Sequence, residues 1–354
     1  MKRIIYIAMA AISAAACTST EYVDVEAIEP VMVVNAQMST SEASHCIHLS
    51  TSTRSLIHGV DDANVTVTVN SSAPIAAVQD TEEGSGAKYN STRYWFNAVL
   101  KSGDVVTVKA VKGTLSGEAT IEVPDEPILG EVTMKDAPNH TPSDSYYEYG
   151  VYDPSYDPET SEYCEWHLLE VNLTDIPSED NHYRIGIFVE ETINSPEQGL
   201  QRYFVRLSAD TSSEPVLSGN KASGGDLLES LSEDSNHYSL FTDGLFKDKS
   251  YTLKLYLSER MLTYYRKYQT DYHWDSEKET YVADPVPEGV VYDSKILVRL
   301  SSISLDQYIY LKALGLDDYG ILFSEPISIP SNVTGGLGFV NIESCKEYRI
   351  QLSE

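Results

Sequence analysis

The chain has 354 residues, of which 42% are apolar and 22% charged, and it carries a formal charge of −29. That length can hold two domains with cores of their own, and the apolar fraction excludes an intrinsically disordered chain. The excess of 54 Asp and Glu over 25 Lys and Arg argues against nucleic acid, whose phosphates need clustered basic residues, and would repel an anionic lipid surface.

At the start of the chain, Lys2 and Arg3 precede an apolar run from Ile4 to Ile12. This run is shorter than the roughly 20 residues of a bilayer-spanning helix, so residues 1–16 read as a cleavable signal peptide. Small residues at Ala14, Ala15 and Ala16 lead directly into Cys17, the pattern of a bacterial lipobox. There the thiol takes a diacylglyceryl group, and the new N-terminus is acylated, typically with palmitate. Each buried CH₂ contributes about 0.8 kcal/mol, so several chains together make a firm anchor. The plain alternative is an ordinary secretory signal with an incidental Cys. Residues 17–29 then read as a tether, carrying Glu21, Asp24, Glu26 and Glu29 and no basic residue.

From 30 to 123 the pattern predicts a β-sandwich of about seven short strands, immunoglobulin-like or transthyretin-like. Val31 to Val34 is β-branched, and Val65, Val67 and Val69 alternate with polar residues, as do Tyr94, Phe96 and Ala98. Lys101 to Asp104 and Lys112-Gly113 supply turns on either side of Val105 to Val111, and Ser116 to Val123 follows. Pro124 and Pro127 predict a linker over 124–129. Residues 130–354 predict a larger β-rich domain. Its strand faces are Tyr183, Ile185, Ile187 and Val189; Tyr203, Val205 and Leu207; Tyr251 through Leu257; and Ile296, Val298 and Leu300. Ser304 as N-cap, with Gln307 completing a capping box, predicts a helix over 304–315 that Gly315 stops. A second short helix is expected over 225–231. The fold class is therefore mainly β with helical decoration.

Candidate chemistry is sparse. The sequence shows no serine-hydrolase elbow, zinc-protease signature or EF-hand loop, and it implies no cofactor. Cys46, Cys164 and Cys345 are too far apart for a zinc motif or a disulfide framework, and buried free thiols are the expected state. His45 and His48 lie three apart on a predicted strand and so face opposite sides. Asp271, His273 and Asp275 alternate, which makes them a weak metal-ligand candidate, against the plainer reading of a looped aromatic stretch. Tyrosine is abundant, 25 against 7 Phe. One cluster holds Tyr146, Tyr147, Tyr149, Tyr152, Tyr156 and Tyr163; the other holds Tyr264, Tyr265, Tyr268, Tyr272 and Trp274. Such rings suit an exposed recognition surface, or equally the rims of sheets. Asp153, Asp157 and Glu159 are the acid–base candidates if the protein is a hydrolase, although Asp and Pro in such a segment serve turns.

The segment Ser301 to Leu314 (SSISLDQYIYLKAL) resembles the strand-to-helix segment of a Bacteroidetes outer-membrane lipoprotein family, domain of unknown function 4249. Phe323 to Pro326, and then Pro330-Ser331-Asn332-Val333-Thr334-Gly335-Gly336-Leu337-Gly338-Phe339, resemble its closing signature. Asp62 to Val67 is similar to its opening domain. The resemblance implies a lipoprotein encoded beside a TonB-dependent receptor, and it carries over no catalytic residue. The spaced acids after Cys17 resemble the surface-export signal of such lipoproteins, which favours the cell-surface side and leaves the periplasmic side as the other orientation. The expected function is a non-enzymatic binding or accessory module that partners the receptor in nutrient capture. An adhesin or pilus-like subunit is the alternative.

Overall fold

The computed structural model describes residues 29–52, 57–141, 166–177, 180–196, 199–217, 238–262, 272–275, 280–283, 291–317 and 329–352. The protein is mainly β. Period-two alternation creates the first strands: β1 (Val31–Ser39), β2 (Ser44–Ser52), β3 (Ile57–Gly59), β4 (Asn64–Val69), β5 (Ile75–Ala76), β6 (Val78–Gln79), β7 (Thr92–Asn97), β8 (Val105–Lys112) and β9 (Leu115–Glu122). The turn expected at 101–104 joins β7 to β8, and the one expected at Lys112-Gly113 falls at 113–114 and joins β8 to β9. One sheet has the order β5-β4-β8-β9 and faces the sheet that holds β1, β2 and β7. Their inward side chains form a single core that includes Met32, Val34, Ile47, Val67, Val108 and Ile121.

The second half supplies β10 (Ile128–Asp136), β11 (Trp166–Thr174), β12 (His182–Ser195), β13 (Gly199–Arg206), β14 (Leu240–Thr242), β15 (Ser250–Ser258), β16 (Tyr272–Asp275), β17 (Thr280–Ala283), β18 (Val291–Ile303) and β19 (Val340–Gln351). β10 begins inside the span expected to be a linker. The three-stranded sheet β10-β11-β15 packs Leu169, Val171, Leu253 and Leu255 against Ile185, Ile187, Ile296 and Val298 of the long strands β12 and β18.

The two halves share one sheet. Among the described residues ten strands join in the order β13-β12-β18-β19-β1-β2-β7-β6, with β14 on β12 and β3 on β2. β19 is the seam. Its first residues pair in parallel with β1, Ala36 opposite Val340 through Ser39 opposite Glu343. The remainder pairs antiparallel with β18, from Ser302 opposite Ser344 to Lys295 opposite Gln351. The first core is therefore not built from residues 30–123 alone, because Val333, Val340 and Ile342 complete it.

The segment before β19 laces the first sandwich. The Thr334 and Glu118 backbones exchange hydrogen bonds at 2.8 and 3.0 Å, while Leu337 N–H donates to Met32 O and Val34 N–H to Leu337 O, both at 2.8 Å. Gly338 sits at φ +111°, where a Cβ would fall 2.2 Å from Val34 O. Glycine at this position thus admits backbone against backbone.

Three other expectations are corrected. The helix α1 (Leu305–Asp317) runs past Gly315, since one glycine lowers helix propensity without forcing a stop. Ser304 Oγ does accept the Gln307 N–H at 3.2 Å, but the Gln307 side chain leaves the cap and donates to Glu343 at 2.9 Å. In β13, Leu207 just beyond the strand is buried, whereas Tyr203 is 44% exposed and Phe204 48%. β13 is an edge strand on the outer half of β12, Phe188 to Ser195, and its aromatic residues belong to neither core. The helix expected over 225–231 lies outside the described residues. Among those that are described, no helix is long and apolar enough to cross a membrane.

Candidate functional site

Where β12, β18, β19 and β1 meet, the ten-stranded sheet turns a polar face away from the two smaller sheets. Alternation decides which residues line it. In β12, Tyr183, Ile185 and Ile187 point into the core, which leaves Arg184, Gly186 and Phe188 outward. Register then sets Arg184 opposite Ser301 and Gly186 opposite Arg299, and Ser301 opposite Cys345. Arg206 of β13 pairs with Phe188, and Gln37 and Ser39 of β1 close the other side. Together these residues bound a cavity of about 240 Å³, with Glu343 in its floor and Glu42 on its rim.

Glu343 organises the floor. It is 5% exposed, and its Oε1 accepts from Arg184 Nη1 at 2.8 Å, Gln307 Nε2 at 2.9 Å and Gln37 Nε2 at 3.2 Å. A carboxylate this deep needs charge-assisted donors to offset its desolvation, and β12, α1 and β1 each provide one. Beside it, Cys345 Sγ lies 3.1 Å from Ser39 Oγ and 3.2 Å from Ser301 Oγ. Burial, and then the Glu343 charge, push this thiol up, so it stays protonated and unreactive.

A ladder of charges continues across the same face. Arg299 gives Nε and Nη2 to Glu347 Oε1 at 2.9 and 2.7 Å, and Arg349 links Glu347 to the buried Glu190. Arg202 of β13 reaches Glu190 Oε1 at 3.2 Å. The Arg299 guanidinium also stacks 5.5 Å from the centroid of Phe188. Gly186 permits this, because a Cβ there would come within 2.7 Å of the Phe188 ring. Burial of its guanidinium, and then the adjacent Arg184, hold Arg206 below its ordinary value although the residue as a whole stays exposed.

Few of the site residues expected from the sequence fall here. Cys17, the tyrosines of 146–163 and Tyr264, Tyr265 and Tyr268 lie outside the described residues. Tyr272 and Trp274 lie on β16, which pairs with β17. His273 and Asp275 are two apart on β16, while Asp271 lies outside the described residues. Among the described residues no group of three or more His, Cys, Asp or Glu could hold a metal ion. His45 and His48 do face opposite sides of β2. His45 is 2% exposed, with Nε2 at 3.1 Å from Ala98 O, and His48 lies outward near Ser91. Cys46 and Cys345 are free, and Cys164 lies outside the described residues. Elsewhere, tyrosine hydroxyls hold loops in place: Tyr94 donates to Val60 O, Tyr183 to Asp175 and Tyr251 to Glu214.

The arginines were not anticipated. Part of their signal is present in the sequence: in an acidic chain, Arg184 and Arg299 each fall between the inward apolar residues of a long strand.

These features define a mainly β protein with two cores under one shared sheet and an arginine-lined cavity at the seam. The chain belongs to the family described as domain of unknown function (DUF4249), whose model matches residues 19–349. No functionally curated protein matches it.

Proposed function

We propose that this protein is a lipid-anchored binding module of the outer membrane, held through Cys17 and working beside a TonB-dependent receptor in nutrient capture. The observation that carries the binding reading is the cavity at the seam, which gathers guanidinium groups from three strands; among the described residues no nucleophile is poised there against a base. Among the described residues the thiol beside it is that of Cys345, which is held protonated. Two buried acids of the second half hold backbone in place: Asp175 accepts from the Tyr183 hydroxyl and the Asp248 backbone N–H, and Glu214 from the Tyr251 hydroxyl and the Lys254 backbone N–H. Carboxylates engaged in this way are poorly placed for proton transfer to a substrate. The receptor partnership rests on family resemblance and the anchor on the lipobox around Cys17. Affinity capture of the tagged protein from detergent-solubilised outer membranes is expected to recover a large β-barrel receptor, and recovery of none contradicts the partnership. Palmitate labelling lost in Cys17→Ser checks the anchor.

A second reading, an adhesin or pilus-like subunit, draws on β13. Its exposed Leu200, Tyr203 and Phe204 lie along a sheet edge that could accept a further strand. Native mass measurement separates the two: ordered multimers favour assembly, and monomers favour the binding module.

A further inference from the structure

The geometry points to a small organic monocarboxylate as the ligand of the seam cavity, bound by guanidinium N–H groups of Arg184, Arg206 and Arg299 with its body against Phe188. This inference rests on the reading of the protein as a binding module and names what it binds.

The first consideration is local charge. The whole chain is strongly anionic, yet three of the residues lining the cavity are arginines. At physiological ionic strength charges are screened over about 8 Å, so a ligand inside the cavity senses the lining and little of the distant acidic surface.

The second is donor capacity. Guanidinium has five N–H groups in a planar fork suited to carboxylate oxygens. Arg184 spends Nη1 on Glu343, and Arg299 spends Nε and Nη2 on Glu347. Arg184 Nε and Nη2 and Arg299 Nη1 donate to no atom of the described residues. They are also not among the sealed polar atoms of the interior, so an incoming acceptor can reach them.

The third is selectivity. Glu343 and Glu42 stand at the floor and rim, where they offset part of the arginine charge and so reduce the advantage a phosphate dianion would have over a monoanion. The Phe188 ring, laid flat over Gly186, offers an apolar wall that a bare inorganic anion cannot use. The volume equals roughly eight waters' share of liquid, at about 30 Å³ each, which suits a short organic acid.

The test is isothermal titration of the full-length protein in detergent with butyrate, its neutral isostere butyramide, and inorganic phosphate. Butyrate is expected to bind saturably at one site and phosphate more weakly, while butyramide gives no saturable heat. Arg206→Gln is expected to weaken butyrate at least five-fold. Arg299→Lys, which keeps the charge but loses the fork, is expected to do the same, with unchanged circular dichroism showing that each variant is folded. Absence of saturable butyrate binding overturns the inference, as does butyramide or phosphate binding as tightly as butyrate, or variants that bind like the parent. Receptor capture and palmitate uptake are read separately, so failure of this assignment is distinguishable from failure of the anchored-module reading.

Discussion

At the scale of single residues, buried charge and buried imidazole are the two groups with consequences that can be measured. Glu343 accepts three donors while nearly inaccessible, and its partner Arg184 has a side chain only 19% exposed. Removing one member of such a pair strands the other, which costs about 3–5 kcal/mol. The residual exposure of Arg184 places Glu343→Ala near the lower end, about 3 kcal/mol by urea denaturation. By contrast, Lys346 and Glu126 are about half exposed, and Lys346→Ala is expected to stay within about 0.5 kcal/mol of the parent. His45 carries a pH dependence. Burial is the main cause of its lowered pKa, with the Ala98 carbonyl and Glu42 opposing it. The unfolded chain therefore takes up the proton first as pH falls. Stability from the neutral ring is complete above the ordinary value of 6.5 and is lost as pH drops from there to the lowered folded value. Thermal melts at pH 7.5 and pH 5.0 are expected to show a smaller acid-induced loss in His45→Leu than in the parent; an equal loss would remove His45 from the account.

At the scale of elements, the strands were readable and their neighbours were not. Val65, Val67 and Val69, or Ile296, Val298 and Leu300, announce themselves because a half-buried strand must alternate. The N-cap of α1 was readable in Ser304 for an equally local reason. The destination of Gln307 was not, because Glu343 lies on a strand whose place in the sheet depends on pairing with β1, about 300 residues earlier in the chain. The cavity was hidden for the same reason: Arg184, Arg206 and Arg299 become neighbours only once β18 has docked beside β12. The glycines of segment 333–339 stand out in the sequence, but the role of that segment as the lacing between β1 and β9 depends on that same long-range closure. Gly338→Ala forces a Cβ into Val34 O and holds Ala at positive φ, so a loss of about 3 kcal/mol is expected. Gly103 also has positive φ, but nothing lies within 4 Å of a Cβ there, and Gly103→Ala is expected to lose only about 1 kcal/mol. Equal losses in the two variants, measured by urea denaturation, would mean that the close approach at Val34 contributes nothing.

At the scale of the molecule, the first and last strands of the described fold lie side by side, and the candidate site sits on the line where they join. The cavity draws on β1 and β19 as well as on β12 and β18, so neither half of the chain can form it alone. Closing so long a loop is entropically slow but adds little cost once the strands are paired, because the penalty grows only with the logarithm of length. The central claim is that this seam is a stable part of the fold and the place where ligand binds. Hydrogen–deuterium exchange on the full-length protein, with and without butyrate, tests it most directly. Slow exchange at residues 36–39 and 340–343 is expected, with added protection on butyrate confined to these segments and to 184–188, 299–301 and the stretch around Arg206. Loop-like exchange at 36–39 and 340–343, or protection by butyrate that falls elsewhere, would contradict it.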